Sequence, residues 1–442
     1  MSALDAEGMA AAARTSMIMR DSLPRIAFMG DSNTDFSRNF NASQYQYTTS
    51  SYVHWLRRIA RQRFYMQPDY VTGIAAMGTA HLLAVQVPQL LGLSPRPTIA
   101  MIQIGTNDNG NLTVAQAVNN VLAAVRMLNA AGIRVFLLSI VPQGTWNNAR
   151  KQWAAEVNRH YWLMAHDPTL AVRFVDLNPS YIDYGTGSPI AAYQYSDMVH
   201  DSPTGGLVKA QAILPALEPF LPQSSEFLPM TNADAYDPVL APGGNMLDNG
   251  MFTGTTGSLF GSGASGQVAT NWTGGNTTTG ISDVAVALSK GTHATYPTMP
   301  TQVMTVSGTG NSASGFRFMR TLPSFPAGLV VGDTVYGEMD VSWSNAVNIR
   351  HLWLRLTISD GTTSTEAMEG GTLVPAGTTA LPLPASHSGI MRTPPLSIPA
   401  NAASIILRLE GVTLTNGAPC SMVVNASRAA LRKTNLRGLR AI

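Results

Sequence analysis

The stretch Arg25-Ile-Ala-Phe-Met-Gly-Asp-Ser-Asn33 decides how this chain is read. Ile26 to Met29 is an apolar run too short for a helix and stopped by Gly30, which is how a buried strand reads. Gly30-Asp31-Ser32 then sets a hydroxyl at the carboxyl end of that strand, where open α/β sheets place their ligands. Taken alone, Ser32 would serve as an ordinary helix N-cap. Its company elsewhere in the chain changes the reading.

Thr98-Ile-Ala-Met-Ile-Gln-Ile104 reads as a second buried strand and ends in Gly105-Thr106-Asn107-Asp108. Asp69-Tyr-Val-Thr72 leads into Gly73 in the same way. Asp197-Met-Val-His200 stands just before Pro203 and Gly205. A Ser, a His, an Asp and a side-chain amide at loop positions supply the parts of nucleophilic acyl transfer. A Ser hydroxyl is a weak nucleophile until a base takes its proton, and imidazole does so near neutral pH. Of the eight His residues, only His200 has a carboxylate three residues upstream and a Pro/Gly turn after it. That spacing puts Asp197 and His200 on one side of a helical turn. The plainer alternatives are a turn or cap role for Asp197, a surface His200 and a turn-forming Asn107.

Gly30-Asp31-Ser32-Asn33, Gly73, Gly105-Thr106-Asn107-Asp108 and Asp197-Met-Val-His200 resemble, in order, the four sequence blocks of the SGNH (GDSL-type) hydrolase superfamily. The resemblance spans residues 24–222. It implies an α/β fold, a flavodoxin-like parallel sheet with helices on both faces, and a serine esterase. It implies Ser32 as nucleophile, His200 as base and Asp197 as the carboxylate that orients the imidazole. The oxyanion hole it implies is made of the Ser32 N–H, the Gly73 N–H and the Asn107 side chain. The family often carries Asn two positions before this glycine, where this chain has Val71, and Gly78 is a competing alignment. Asp31 reads as a loop brace and Asp108 as a turn brace or cap. No His-x-x-x-His or Cys pair accompanies them, so no metal and no cofactor are assigned.

The length of 442 residues predicts two or three domains, and 45% hydrophobic content is enough for real cores. A net charge of +2, with no Lys/Arg cluster among aromatics, argues against a nucleic-acid partner. The single Cys420 excludes an internal disulfide and a Cys-based zinc site, and reads as a small buried apolar residue. No run of 18 apolar residues predicts a membrane helix. The N-terminus carries no secretory signal pattern, because Arg14 interrupts the short Ala run. The expected location is therefore the cytoplasm, or outside the cell as part of a virion.

Residues 1–23, rich in Ala and Met, read as a short helix or docking segment. Helical spacing predicts helices at Tyr52–Ala60, Val114–Ala131, Asn147–His166 and Leu207–Leu221, and strands at Ile133–Val141 and Ala171–Asp176. This alternation argues for a parallel sheet. Residues 223–245 read as a linker. From 246 to 442 Gly, Thr, Ser and Asn dominate. Alternating runs at Val330–Trp343, His351–Ile358, Ser404–Glu410 and Ser421–Ala426 predict an antiparallel β-sandwich. Asn245-Met-Leu-Asp-Asn-Gly-Met-Phe252 followed by Asn271-Trp272 resembles the opening of jelly-roll carbohydrate-binding modules. Trp343 and Trp353 could stack on sugars or fill the core, with core favoured for at least one, and Arg350 and Arg355 could line a polar face.

The leading expectation is a serine esterase that removes short acyl groups, acetyl first, from carbohydrate or polysaccharide. The sandwich would tether it to polymer. Tyr45, Tyr47, Tyr181, Tyr184, Tyr193 and Tyr195, in the loops 33–50 and 181–196, suggest a polar, aromatic, sugar-tolerant mouth, and the same residues would suit an interface. One alternative keeps Ser32 and its partners but acts on simple carboxylesters, thioesters or lipids. Another is a phage tail-associated or glycan-binding structural protein in which the sandwich dominates. Acylated carbohydrate or a small ester is the expected partner, with no membrane; homo-oligomer and virion assembly both stay open. Removing 246–442 should spare hydrolysis of small soluble esters, and loss of that activity in a folded 1–245 fragment would make the sandwich part of the site.

Overall fold

The computed structural model describes residues 23–40, 44–223, 228–241, 243–277, 283–310, 315–322, 325–415 and 417–434. The expected docking segment at 1–23 lies outside the described residues except for Leu23. Strands Ile26–Gly30, Ile99–Gln103, Arg134–Leu138 and Val172–Val175 form one parallel sheet in that order. Nearly every residue of the first three is buried, which is why they read as continuous apolar runs rather than alternating ones.

The strand expected before Gly73 is much reduced. Pro68–Tyr70 is a 3₁₀ turn, and only isolated parallel bridges, Arg25 to Tyr65 and Phe28 to Val71, mark its place. Pro68 has no N–H to give a ladder and favours the start of a turn. The bridges still extend the sheet on the far side of Ile26–Gly30, which gives the flavodoxin order 2-1-3-4-5. Helices Tyr52–Ile59 and Pro203–Leu217 pack on each other, and so do helices Val114–Ala130 and Asn148–Ala165. The chain order reverses between Ile26–Gly30 and Ile99–Gln103; open α/β sheets place their ligands at such a switch point, beyond the strands' carboxyl ends.

The C-terminal half is built of strands in two sheets. One has seven strands, centred on Pro419–Lys433 between Pro300–Thr309 and Thr334–Val347. The other has eight. Its strands Ile349–Ser359 and Ser404–Thr413 alternate buried and less buried residues, the period-2 signature of a half-buried sheet. Trp343 is buried, whereas Trp353 is partly exposed and stacked on His351. Cys420 is buried and free.

The two halves are not joined only by the 223–245 stretch. Arg38–Phe40 and Gln44–Thr48, which follow Ser32 directly, form the edge of the eight-stranded sheet. There Gln44–Thr48 runs parallel to Ser364–Gly371. Helix Tyr52–Ile59 presses on the strand-rich half. His54 Nδ1 lies 2.9 Å from Glu369 Oε1, and Arg57 pairs with Glu369 Oε2, all buried. Arg58 is fully buried, 4.8 Å from the Trp343 ring centre, and burial pushes its guanidinium down to about 9. Trp55, Trp343 and His387 pack ring against ring. Within the stretch read as a linker, described residues Asp234 and Asn245 lie on the strands, Asp234 paired with Arg432 and Asn245 Nδ2 donating to the Ala429 carbonyl.

Candidate active site

Ser32 opens a single helical turn, Ser32–Asp35. Asp31 caps that turn, its Oδ1 accepting the Asn33 N–H at 3.0 Å. Gly30 must be glycine because a Cβ there would meet the Gln103 carbonyl oxygen at 2.1 Å, with φ at +154°. The buried Gln86 amide braces the same residue from both sides. It donates to the Gly30 carbonyl at 2.8 Å and accepts the Gly30 N–H at 2.9 Å.

The loop from Gln194 to Ser202 brings the second part of the site. It folds back on itself, with the Tyr195 N–H donating to the His200 carbonyl at 2.9 Å and Gln194 bridged to Asp201. His200 Nε2 lies 3.0 Å from Ser32 Oγ, and Nδ1 lies 2.6 Å from Asp197 Oδ2. Burial alone would raise the Asp197 carboxyl. The His200 ring and the N–H groups of Val199 and His200 outweigh it and hold the carboxyl below its usual range. An ionised carboxylate only accepts, so Nδ1 carries the proton and Nε2 is left to accept from the Ser32 hydroxyl. Phe36 stacks on the imidazole with ring centres 4.5 Å apart.

Gly73 sits against the Ser32 turn: a Cβ there would come within 2.8 Å of the Thr34 side chain. Gly78 faces elsewhere, where a Cβ would strike the Asp108 carboxylate at 2.0 Å. Of the two competing glycines, Gly73 is therefore the one beside Ser32. Among the described residues, neither the Ser32 N–H nor the Gly73 N–H donates to a protein acceptor. Asn107 Nδ2 donates one hydrogen to the Met77 carbonyl at 3.0 Å, which leaves its other N–H for a ligand. Asp108 Oδ2 accepts the Thr79 N–H at 2.9 Å, a cap on the short helix that follows. No three His, Cys, Asp or Glu side chains gather as a metal site among the described residues.

Several residues of this neighbourhood carried no motif in the sequence. Asp201 follows His200 and is buried with Lys209 Nζ at 2.8 Å, while the Tyr181 hydroxyl donates to it at 2.6 Å. This buried cluster pins the base of the His200 loop to helix Pro203–Leu217. The one available signal was a lone Lys inside the apolar run Leu207-Val-Lys-Ala. The expected tyrosine mouth is mostly absent: Tyr47, Tyr181 and Tyr195 are buried, and Tyr184 alone of the six is strongly exposed. Those rings pack the loops' bases and the junction with the strands.

Asp31 gives a pH test. Burial pushes its carboxyl from 3.8 up to about 6, against the opposing Asn33 bond, and its Oδ2 has no protein partner. Between pH 4 and 6 the folded chain thus holds a proton that the unfolded chain has lost, so this group's contribution to stability falls as pH rises through that window. Asp31→Asn, which keeps the capping oxygen, should not show this fall. Urea denaturation of both proteins from pH 4 to 7 should give a gap that shifts in favour of the variant with rising pH. Parallel curves would reject the assignment.

Residues 28–205 match the GDSL-like Lipase/Acylhydrolase family, so the N-terminal half carries a hydrolase domain of that kind. The chain is also similar to solved structures. A mutant acetyl-xylooligosaccharide esterase from Geobacillus is 18% identical, covering 43% of this chain and 93% of that one at a TM-score of 0.36. A carbohydrate esterase family 3 protein from Talaromyces cellulolyticus is 14% identical over 45% of this chain and 97% of its own, with a TM-score of 0.34. A member of the lipolytic G-D-S-L family from Veillonella parvula is 13% identical over 44% and 98%, with a TM-score of 0.36. No curated protein matches the chain. No helix among the described residues is long and apolar enough to cross a membrane.

Proposed function

We propose that the chain is a serine esterase that removes short acyl groups, acetyl foremost, from carbohydrate, with the strand-rich half folded as a jelly-roll sandwich. The observation that carries this reading is the chain of contacts from Asp197 through His200 to Ser32, beside two N–H groups that have no acceptor among the described residues. Ser32 Oγ attacks the ester carbonyl while His200 Nε2 takes its proton. The imidazolium is stabilised by Asp197, which also keeps Nε2 facing Ser32. The developing oxyanion receives the N–H groups of Ser32 and Gly73 and the free N–H of Asn107. Collapse breaks the bond to the alcohol oxygen, which leaves with the proton from His200, and Ser32 holds the acyl group. Water, deprotonated by His200, attacks this acyl-enzyme; the carboxylic acid departs and Ser32 regains its proton.

Hydrolysis of p-nitrophenyl acetate against the butyrate, octanoate and palmitate esters tests the reading. Turnover should fall as the chain lengthens. A preference for the longer esters would instead support the lipase reading. No turnover on any of them would remove the esterase reading.

A further inference from the structure

A cleft of about 570 Å³ lies beside the His200 loop, within the 300–1,000 Å³ usual for ligand sites. One wall is that loop, with Gln194, Tyr195 and Met198. The other comes from the strand-rich half, with Thr379, Leu381 and Pro382. We propose that this cleft receives the alcohol portion of the ester substrate, so that the strand-rich half supplies part of the substrate site. The inference rests on the esterase reading and deepens it.

Chemistry sets which end of the substrate points this way. The carbonyl oxygen must turn toward Gly73 and Asn107. The alcohol oxygen must take its proton from His200 Nε2, so the alcohol departs on the His200 side. Ser196 and Met198, on either side of Asp197, and Ser202, two residues past His200, wall the cleft. Met198 takes positive φ, 58°, and its carbonyl accepts the Gly144 N–H at 3.0 Å, which fixes this wall in place. The two walls are also tied together. The Tyr195 hydroxyl lies 3.4 Å from Ser50 Oγ, and Ser50 Oγ donates to the Leu373 carbonyl at 2.5 Å, a few residues before Thr379. Such a cleft exists before substrate arrives, so little ordering is needed on binding. Its apolar surface, broken by the Gln194 amide and the Thr379 hydroxyl, suits a sugar, whose C–H faces and hydroxyls alternate.

The test keeps the acyl group as acetate and varies the alcohol. Ethyl acetate, 4-methylumbelliferyl acetate and glucose pentaacetate are compared on wild type, Leu381→Trp and the exposed-site variant Thr379→Trp. Filling the cleft should lower kcat/KM on the two bulky acetates about tenfold, mainly through KM, and leave ethyl acetate within about twofold. The ratio of p-nitrophenyl acetate to octanoate rates should not move. An equal loss on all acetates, or a changed acyl ratio with an unchanged alcohol series, would overturn the proposal. Absence of Ser32-dependent turnover on every one of these acetates would remove the esterase reading itself, and the inference with it.

Discussion

Ser32→Ala should abolish ester hydrolysis, by about 10⁴-fold or more in kcat, and leave the fold standing. In the proposed mechanism the hydroxyl, which contacts His200 Nε2, is also the attacking atom, so its loss removes the acyl-enzyme path outright. On the same reading the oxyanion contacts proposed for Gly73 and Asn107 would remain, and these cannot substitute for a nucleophile. The structural cost is small because the turn is held by groups the substitution does not touch. These are the Asp31 cap on Asn33, the Ser32 carbonyl accepting the Phe36 N–H, and the Gln86 brace on Gly30. One lost hydroxyl contact amounts to about 1 kcal/mol. Initial rates on p-nitrophenyl acetate and a thermal melt of the same preparation check both halves of the statement. An unchanged melting temperature with more than a tenth of the activity retained would sink Ser32 as nucleophile.

The site was legible where chemistry demands particular residue types in turns after strands. Ser32, Asn107, Asp197 and His200 stand out because a hydroxyl, an amide, a carboxylate and an imidazole each sit where an apolar run ends. Gly73 was legible only as one of two glycines. A glycine's reason lies in its neighbour's volume, here Thr34, and no local pattern records that. Gln86, Asp201 and Lys209 were not legible, because their partners are 56, 20 and 8 residues away and nothing in the spacing announces them. The parallel core was readable from its buried runs, whereas the strand before Gly73 shrank to bridges under Pro68. The largest surprise is Gln44–Thr48. Its alternation of polar and aromatic residues resembles a pocket loop, but pairing with Ser364–Gly371 turns it into a strand of the distant sheet. Pairing over that separation is a tertiary fact that propensity does not carry.

That pairing reverses one expectation, and the result should be large: residues 1–245 alone should fail to hydrolyse even p-nitrophenyl acetate. Two treatments of the halves compete. If the C-terminal half were a tethered module, its loss would leave small-ester activity intact. The contacts argue otherwise. Truncation would strip Gln44–Thr48 of its parallel partner and leave Tyr47 and Trp55 facing water. Re-exposing two such buried aromatic rings costs up to about 3 kcal/mol each. That is a large share of the roughly 5–15 kcal/mol that holds a domain together. The loss also reaches the chemistry by a short route. Phe36, stacked on His200, has its carbonyl bonded to Thr48 Oγ1 in that same strand, and Ser50 links the strand-rich half to Tyr195 in the His200 loop. The fragment is compared with the full chain by circular dichroism, thermal melting and initial rate. Glu369→Ala in the full chain serves as a milder cut, since it leaves Arg57 buried without its carboxylate, with Gln62 and the Arg392 carbonyl left to bond, at a cost of up to about 3–5 kcal/mol. A fragment that melts cooperatively and keeps wild-type kcat/KM would show that these contacts are packing only. Loss of activity in a fragment that still melts cooperatively would place the effect at the His200 loop and Phe36 rather than in global stability.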